Sequence, residues 1–251
     1  MVFLKEYKND KLWQENLNSI HIRSDLLVSE RVLKILGDVK GKKILDLGCG
    51  NGKVCRWLAK KGANVTGIDI VNEQIELAKS IEKERKEGIK YYVGDVTDKN
   101  LSLAHKKFDI IISLVTALYF DKNQFKNHIT LVAKYIKSKG RFIYANIHPC
   151  RVLSYLPSKG VELLSPRKNL NYFNIQQLKS KIISVDTTTT TTTTYYNHPL
   201  AFIINSFLGE GFMIKKIYEP QATKSELKKY KFILINEDKL ISYIIFDLTR
   251  E

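Results

Sequence analysis

The chain has 251 residues, of which 44% are hydrophobic and 27% charged, and its formal net charge is +15. This length and hydrophobic fraction suffice for one α/β domain with a substantial buried core. No apolar run approaches the roughly 20 residues that a membrane helix needs, and the first residues lack the apolar core and cleavage site of a signal peptide. We therefore expect a soluble cytoplasmic protein that makes no contact with a membrane.

The cysteines and the positive charge bear on cofactors and partners. Cys49, Cys55 and Cys150 are odd in number and form no CxxC pair, which argues against a disulfide framework and against a structural zinc site. Free thiols are typical of a reducing compartment, and we expect no bound metal. The net charge permits a nucleic-acid partner, but the lysines are spread along the chain without a long basic block, which favours a compositional bias instead.

The first 148 residues predict N-terminal helices followed by alternating strands and helices. Residues 1–38 carry apolar positions at helical spacing up to Gly37 and predict an N-terminal cap of two or three helices. In residues 39–148, the apolar and β-branched strands alternate with amphipathic helices, one capped by Asn72 and stopped by Gly88. This alternation predicts a parallel sheet covered on both faces. The predicted strands are 43–47, 64–69, 90–93, 108–113 and 141–147. Helices are predicted at about 53–61 and 123–136, with the helix capped by Asn72 between them.

The alternation ends after residue 148. Residues 149–198 form an insertion that contains the run Thr187–Thr194. Threonine is β-branched and favours extended chain, so the run is either an expanded strand or loop without a chemical role, or one strand of a flap over the active site. Residues 199–251 predict a late helix and two further strands. The late helix covers 200–210 and the strands cover 212–218 and 241–248.

These elements together predict a doubly wound α/β fold. Its sheet has seven mostly parallel strands, with an antiparallel strand at one edge because the last two strands lie close together in sequence. The N-terminal helices precede this sheet, and the insertion follows its fifth strand. We take residues 39–148 as the cofactor-binding core, which residues 199–251 complete.

The strongest chemical signal is the loop Asp46-Leu-Gly-Cys-Gly-Asn-Gly52 after the first strand. Glycines at alternate positions allow a sharp turn and let a ligand approach the bare backbone. A dinucleotide loop would place a glycine at position 53, and a triphosphate loop would continue Gly-Lys with Ser or Thr. This chain has Lys53 and Val54 there, so the loop favours neither a dehydrogenase nor a phosphate-binding enzyme.

Three carboxylates stand at the ends of successive predicted strands: Asp46, Asp69 and Asp95. The carboxyl ends of parallel strands line one edge of a sheet, where ligands bind. A carboxylate at the end of the second strand is placed to accept both hydroxyl groups of a ribose. The three aspartates therefore predict one acidic cleft beside the glycine loop.

With these features the chain resembles the class I S-adenosylmethionine-dependent methyltransferases. The resemblance is carried by Ile44–Gly52, Val65–Asp69, Gly94-Asp95 and Phe108-Asp109. A weaker match to the small-molecule branch of the family returns at Asn197–Leu200, Gly211-Phe212 and Glu219-Pro220. S-adenosylmethionine has an amine, a sulfonium and a ribose but no phosphate, so carboxylates suit it better than basic groups do.

The resemblance implies a role for each matching residue. The loop residues Gly48, Cys49, Gly50 and Gly52, together with Asp46, would bind the methionine part of S-adenosylmethionine. Asp69 would hold the ribose, and Ile70 would pack on the adenine. Asp95 would reach the adenine amino group, with Val96 beside the ring, and Ser113 would contact the methionine end.

The acceptor side of the reaction has fewer signals. His148, just past the fifth strand, is the first candidate for a general base, and His198 the second; each is otherwise a structural histidine. Tyr119, Tyr195 and Tyr196 either line the acceptor pocket or belong to ordinary packing. Cys150 follows a proline, but the pattern of the cytosine-attacking enzymes is otherwise missing, so we assign it no catalytic role.

The sequence therefore predicts the S-adenosylmethionine-dependent transfer of a methyl group to an O or N atom of a small-molecule acceptor. The net charge keeps an RNA or protein methyltransferase as the alternative, and a cofactor-binding protein without activity is the third interpretation. The sequence does not discriminate among acceptors, and it predicts no oligomeric state.

Overall fold

The computed structural model describes residues 24–103, 107–152, 161–163, 171–183, 190–230 and 241–251. Seven strands form one sheet: β1 (Lys43–Leu47), β2 (Asn64–Asp69), β3 (Lys90–Val93), β4 (Phe108–Leu114), β5 (Ile136–Ile147), β9 (Phe212–Tyr218) and β10 (Tyr243–Arg250). Their order across the sheet is β3-β2-β1-β4-β5-β10-β9. A second sheet in the order β6-β7-β8 comprises β6 (Val161–Leu163), β7 (Gln176–Ile183) and β8 (Thr190–Asn197).

Strands β1 to β5 are parallel, so their carboxyl ends share one edge. Strand β10 is antiparallel to both β5 and β9 and lies between them, one position in from the edge. The predicted mostly parallel, seven-stranded fold with an antiparallel pair at one edge is confirmed.

Helices cover both faces of the large sheet. They are α1 (Glu30–Leu36), α2 (Lys53–Lys60), α3 (Asn72–Arg85), α4 (Lys122–Tyr135), α5 (Leu200–Gly209) and α6 (Lys224–Lys229). One buried cluster joins α1, α2 and α3 to one face of the sheet. Another joins α4 and α5 to the opposite face. Burial of these apolar faces is the main force that holds the three layers together.

Some element boundaries differ from those predicted. Asn72 is the first residue of α3 and Val71 its N-cap, without a side-chain cap bond, so the predicted Asn72 cap is wrong. The helix ends at Arg85 because Lys86 takes a left-handed conformation two residues before Gly88. Strand β5 begins directly after α4, at Ile136, and a register irregularity precedes its regular pairing with β4. The short helix α6 was not predicted.

The insertion contains an antiparallel sheet. Within the threonine run, residues 190–194 belong to β8 and pair with β7, for example Thr194 with Lys179. The extended interpretation of the run is therefore confirmed for those five residues, while 187–189 lie outside the described residues. The predicted N-terminal helices are confirmed from Asp25 to Leu36, and residues 1–23 also lie outside. In the part of the chain that the structure describes, no helix combines the length and apolar character needed to cross a membrane.

Candidate functional site

The glycine loop follows β1 at the carboxyl edge of the sheet. Gly48, Gly50 and Gly52 have φ values of +82°, +53° and +76°, which non-glycine residues rarely adopt. A Cβ atom added to Gly48 would lie 2.2 Å from the Thr116 hydroxyl, and one added to Gly52 would lie 2.2 Å from the Tyr91 hydroxyl. At Gly50 it would meet nothing within 4 Å. Packing therefore requires the outer two glycines, and the middle one faces open space that a ligand can enter.

Asp69 joins this loop to the end of β2. One carboxylate oxygen accepts a hydrogen bond from the Gly50 amide at 2.8 Å, and the other accepts one from the Val71 amide at 2.9 Å. A carboxylate oxygen can accept two hydrogen bonds, so each retains a lone pair for a further donor. A carboxylate fixed in this way suits two neighbouring hydroxyl groups, as a ribose presents them. The following residue, Ile70, is 64% exposed and offers an apolar surface beside it.

Asp95 follows β3. Its Oδ1 accepts hydrogen bonds from the Thr97 amide at 2.8 Å and the Thr97 hydroxyl at 2.7 Å. Among the described residues these are the donors to its side chain, so Oδ2 is left for a ligand such as an exocyclic amine. The neighbouring Val96 is buried in the core beneath α4.

Asp46 lies beneath the loop and is only 3% exposed. Its Oδ2 accepts a hydrogen bond from the Cys55 thiol at 3.2 Å. Burial raises the pKa of Asp46 to about 7, the Cys55 hydrogen bond opposes this shift, and the charge of Asp69 adds to it. A cationic group bound above the loop would favour the ionised form of this carboxyl.

Lys53 occupies the position where a dinucleotide loop has its last glycine. Its ammonium lies 2.7 Å from the Asp25 carboxylate, and both side chains are largely buried. The charge of Lys53 is therefore directed to the N-terminal helical segment and not to the loop, which agrees with a ligand that has no phosphate.

Ser113, near the end of β4, and Val96 are linked through a buried histidine. The Nε2 atom of His128 lies 3.0 Å from the Ser113 hydroxyl, and Nδ1 lies 3.1 Å from the Val96 carbonyl. A carbonyl only accepts, so Nδ1 carries the proton and Nε2 accepts from Ser113. Burial lowers the pKa of His128 to about 4, so the ring is neutral and this arrangement persists at neutral pH.

The two candidate bases differ in their bonding. The Nδ1 atom of His148 accepts the Cys150 amide hydrogen at 3.1 Å, and Nε2 lies 3.2 Å from Glu219. Burial lowers the pKa of His148 and Glu219 opposes that shift. Both ring nitrogens of His148 are thus engaged.

Within the part of the chain that the structure describes, one ring nitrogen of His198 has no hydrogen-bond partner. The backbone of Phe120 and Asp121 holds its ring, while Nε2 is buried without a partner among the described residues. Burial lowers the pKa of His198 to about 4. Its ring packs against those of Phe125 and Phe202, with centroids 4.8 and 5.5 Å away.

His198 opens into a small recess where β5 and β8 end. The 3-10 turn Ala117–Tyr119, which follows β4, packs against β8. The recess therefore shares the carboxyl edge of β4 and β5 with Ser113. Its other lining residues are Leu118, Asn146, Ile147, Tyr195, Tyr196, Asn197 and Ile203.

Comparison of the sequence with protein families gives one match over residues 38–200, to the family described as "Methyltransferase domain". The chain belongs to this methyltransferase family. The match covers the glycine loop, the three aspartates, the insertion and the start of α5. It ends before β9 and β10, which complete the sheet.

Individual relatives agree with that membership. The methyltransferase is 36% identical over 104 residues to the ubiquinone biosynthesis O-methyltransferase of Actinobacillus pleuropneumoniae, covering 39% of this chain and 44% of the relative. It is 29% identical over 161 residues to the protein of the same name from Pelagibacter ubique, covering 57% and 63%. The chain thus spans about half the length of the curated relatives that it matches.

A solved structure supports the same fold. The S-adenosylmethionine-dependent methyltransferase from Mesorhizobium loti superposes with a TM-score of 0.65 at 19% sequence identity, covering 88% of this chain and 96% of that one. At this identity the likeness establishes the fold of the methyltransferase and not its substrate.

The structure brings most of the predicted site residues of this methyltransferase to one edge. Asp69 bonds to the loop at Gly50, and Asp95 follows β3 at the same edge of the sheet. Ser113 is fully buried, and its hydroxyl contacts His128. Tyr195 and Tyr196 line the recess. Tyr119 lies outside it and is 53% exposed.

Three relevant residues were missed by sequence reasoning. His128 sits within the amphipathic pattern of α4, and nothing local marks its contact with Ser113. Thr116 donates a hydrogen bond to the Leu47 carbonyl at 3.2 Å and fills the space beside Gly48. Asn197 was part of a family match but had no assigned role, and its burial depends on the pairing of β8 with β7.

Proposed function

We propose that this chain is an S-adenosylmethionine-dependent methyltransferase that acts on an O or N atom of a small molecule. The observation that carries the proposal is the Asp69 carboxylate, held by the loop amide of Gly50 and by Val71, with a lone pair left on each oxygen. Membership of the methyltransferase family supports it, as do the names of the curated relatives.

The residues present fit the cofactor by their chemistry. Asp69 would accept the ribose hydroxyls, with Ile70 against one face of the adenine. Asp95 would accept the adenine amino group through Oδ2, with the chain at Val96 beside the ring. The loop from Gly48 to Gly52, including Cys49, would enclose the methionine part, and buried Asp46 would balance its amine.

S-adenosylmethionine supplies an activated methyl group, so the protein mainly has to orient the acceptor and exclude water. Fixing two reactants in line can contribute on the order of 7–11 kcal/mol to lowering the barrier. Tyr195, Tyr196 and Tyr119 are the proposed acceptor-side aromatics. His148 and His198 remain the proposed bases, and the cytoplasmic location expected from the free thiols remains a prediction.

The experiment that tests this proposal is calorimetry with the full chain and S-adenosylhomocysteine, NAD and ATP as separate ligands. We expect saturable binding of S-adenosylhomocysteine alone, because the loop has neither dinucleotide nor phosphate-loop spacing. Tighter binding of NAD or ATP would overturn the assignment.

A further inference from the structure

The edge of the large sheet opposite the glycine loop is formed by segments that lead into, or begin, four neighbouring strands. These segments, which we call the amino edge, are 37–43 at β1, 61–64 at β2, 107–109 at β4 and 136–140 at β5. Their lysines are far apart in sequence, but the parallel pairing of the strands brings them to one side of the sheet. They are Lys40, Lys42, Lys43, Lys61, Lys107, Lys137 and Lys139.

Hydrogen bonds join these segments into one surface. The Asn64 amide at the start of β2 donates to the Lys42 carbonyl at 2.8 Å. Asp109 connects the other segments, because its Oδ2 accepts from the Lys43 amide at 2.8 Å and its Oδ1 lies 2.6 Å from the Lys137 ammonium. The lysines therefore belong to one continuous surface and not to unrelated loops.

The amino edge has an excess of positive charge. The acidic residues in its segments are Asp38 and Asp109, and Asp109 is paired with Lys137. The other lysines of the amino edge are all exposed. The opposite edge of the sheet presents the three aspartates of the candidate cofactor site, so the two edges differ in the sign of their charge.

The width of this surface and the density of its charges match a nucleic-acid backbone. Four neighbouring strands span about 14 Å, since strands lie about 4.8 Å apart. A duplex carries one negative charge per roughly 1.7 Å of its axis, so it presents about eight phosphate charges over that length. Lysine binds phosphate as a flexible point charge, which suits contacts to the backbone that do not read the base sequence.

The composition of the amino edge disfavours other polyanions. The exposed large apolar side chains of the described residues, such as Ile70, Tyr119 and Met213, lie outside these segments. Stable binding to an anionic membrane usually adds apolar side chains that enter the bilayer. Binding of a single strand usually adds aromatic side chains on which the bases stack. The amino edge offers charge without either of these groups.

From these observations we propose that the amino edge is a docking surface for the phosphate backbone of a nucleic-acid duplex. The duplex is a docking partner and not the methyl acceptor, because the glycine loop lies at the opposite edge of the sheet. A chain docked in this way keeps its cofactor edge open to a small molecule. The proposal goes beyond the proposed function and does not depend on it.

Fluorescence anisotropy with the full chain and a labelled DNA duplex tests the proposal. We expect a dissociation constant on the order of 10⁻⁶–10⁻⁵ M at about 50 mM salt, and a plot of log affinity against log salt with a slope of about −4 to −6. One strand of that duplex, and vesicles of phosphatidylserine at the same concentration of anionic groups, should bind at least about threefold more weakly.

Two triple variants with the same change in net charge locate the site. The edge variant combines Lys40→Gln, Lys42→Gln and Lys139→Gln, and the control variant combines Lys122→Gln, Lys126→Gln and Lys224→Gln at exposed positions of α4 and α6. At about 100 mM salt the edge variant should bind the duplex at least about tenfold more weakly, with a slope reduced by about 2–3. The control variant should change affinity by less than about threefold, because charges farther than about 10 Å from the duplex are screened. Melting temperatures of both variants exclude misfolding.

The remaining outcomes each decide the proposal. Saturating S-adenosylhomocysteine should leave the affinity for the duplex unchanged, because the cofactor site is at the other edge. Competition between the two ligands, absence of saturable duplex binding, tighter binding of the single strand or the vesicles, or an equal loss in the two variants would overturn it. Binding of S-adenosylhomocysteine is measured separately by calorimetry, so the proposed function stands or fails independently of these results.

Discussion

The Nε2 atom of His128 lies 3.0 Å from the Ser113 hydroxyl, in a position where both residues are fully buried. The other ring nitrogen of His128 donates to the Val96 carbonyl. One imidazole therefore connects the segment after β3, proposed to contact the adenine, with the end of β4, proposed to support the methionine part.

The first prediction concerns this connection. His128→Ala should reduce the free energy of unfolding by about 2–5 kcal/mol, because it leaves a cavity and two buried groups without partners. Ser113→Ala should reduce the free energy of unfolding by less, about 1–2 kcal/mol. Urea unfolding of both single variants and the double variant gives the coupling energy, which we expect to be on the order of 1 kcal/mol. Strict additivity would mean that the two side chains do not interact.

The second prediction is a loss of stability in acid. Burial lowers the pKa of both His128 and His198 to about 4, from an ordinary value of 6.5. Stability from their neutral forms is present above pH 6.5 and is lost as pH falls towards 4, because the unfolded chain binds the protons first. Urea unfolding between pH 7.5 and 4.5 (about 0.5-unit steps) should show the decline.

His128→Gln serves as the comparison for this second prediction. Without one of the two titrating groups, the variant should lose less stability than wild type over the same range of pH. An equal loss in both proteins would exclude His128 as a source of the acid sensitivity.

The third prediction is a loss of stability as the pH rises, opposite in direction to the second. Burial raises the pKa of Asp46 to about 7 from 3.8, so its contribution to stability is present below pH 3.8 and is lost as pH rises through 7. Asp46→Asn, which keeps an oxygen for the Cys55 thiol, should therefore melt at a higher temperature than wild type at pH 8. The difference should shrink towards pH 5.

The same Asp46 variant should bind S-adenosylhomocysteine less tightly at pH 8, because a neutral amide does not balance the ligand amine. Melting curves with and without that ligand measure both effects. A variant that is less stable than wild type at pH 8 in the absence of ligand would contradict the burial argument.

The fourth prediction compares two glycines with similar backbone angles. Gly52 has a φ of +76° and Gly88 a φ of +79°. Alanine at either position meets the left-handed penalty of about 1–2 kcal/mol, but at Gly52 it also collides with the Tyr91 ring. Gly52→Ala should therefore lower the melting temperature more than Gly88→Ala and should weaken S-adenosylhomocysteine binding, which Gly88→Ala should not change. Equal melting temperatures would mean that Tyr91 moves away at little cost.

Local sequence patterns were sufficient to predict the strands of the large sheet and the glycine loop. Strands β2, β3 and β9 have the predicted bounds, since runs of apolar and β-branched residues between turn signals are read without knowledge of the tertiary fold. The capping box of α4, formed by Asp121 and Gln124, also has a local signature, and its recognition would have placed the start of that helix.

Tertiary contacts account for what was missed. The link from Ser113 to His128 depends on how α4 docks under β4, and the free nitrogen of His198 depends on a turn some 80 residues earlier in the chain. Helix α3 ends at Arg85 because the next residue, Lys86, is in a left-handed conformation, which for lysine has no sequence signal. The burial of Asp46, which raises its pKa against the opposing hydrogen bond from Cys55, likewise arises from tertiary packing and not from the loop pattern.

The central claim is that Asp69 holds the ribose of the cofactor, and the most direct test is calorimetry of S-adenosylhomocysteine binding to two aspartate variants. Asp98 is the matched control, because it is exposed and also accepts a backbone amide, that of Asn100, at 2.8 Å. We predict that Asp69→Ala weakens binding by about 2–3 kcal/mol, the loss of charge-assisted hydrogen bonds, while Asp98→Ala binds as wild type does. Unchanged affinity in Asp69→Ala, with the fold intact by circular dichroism, would contradict the account.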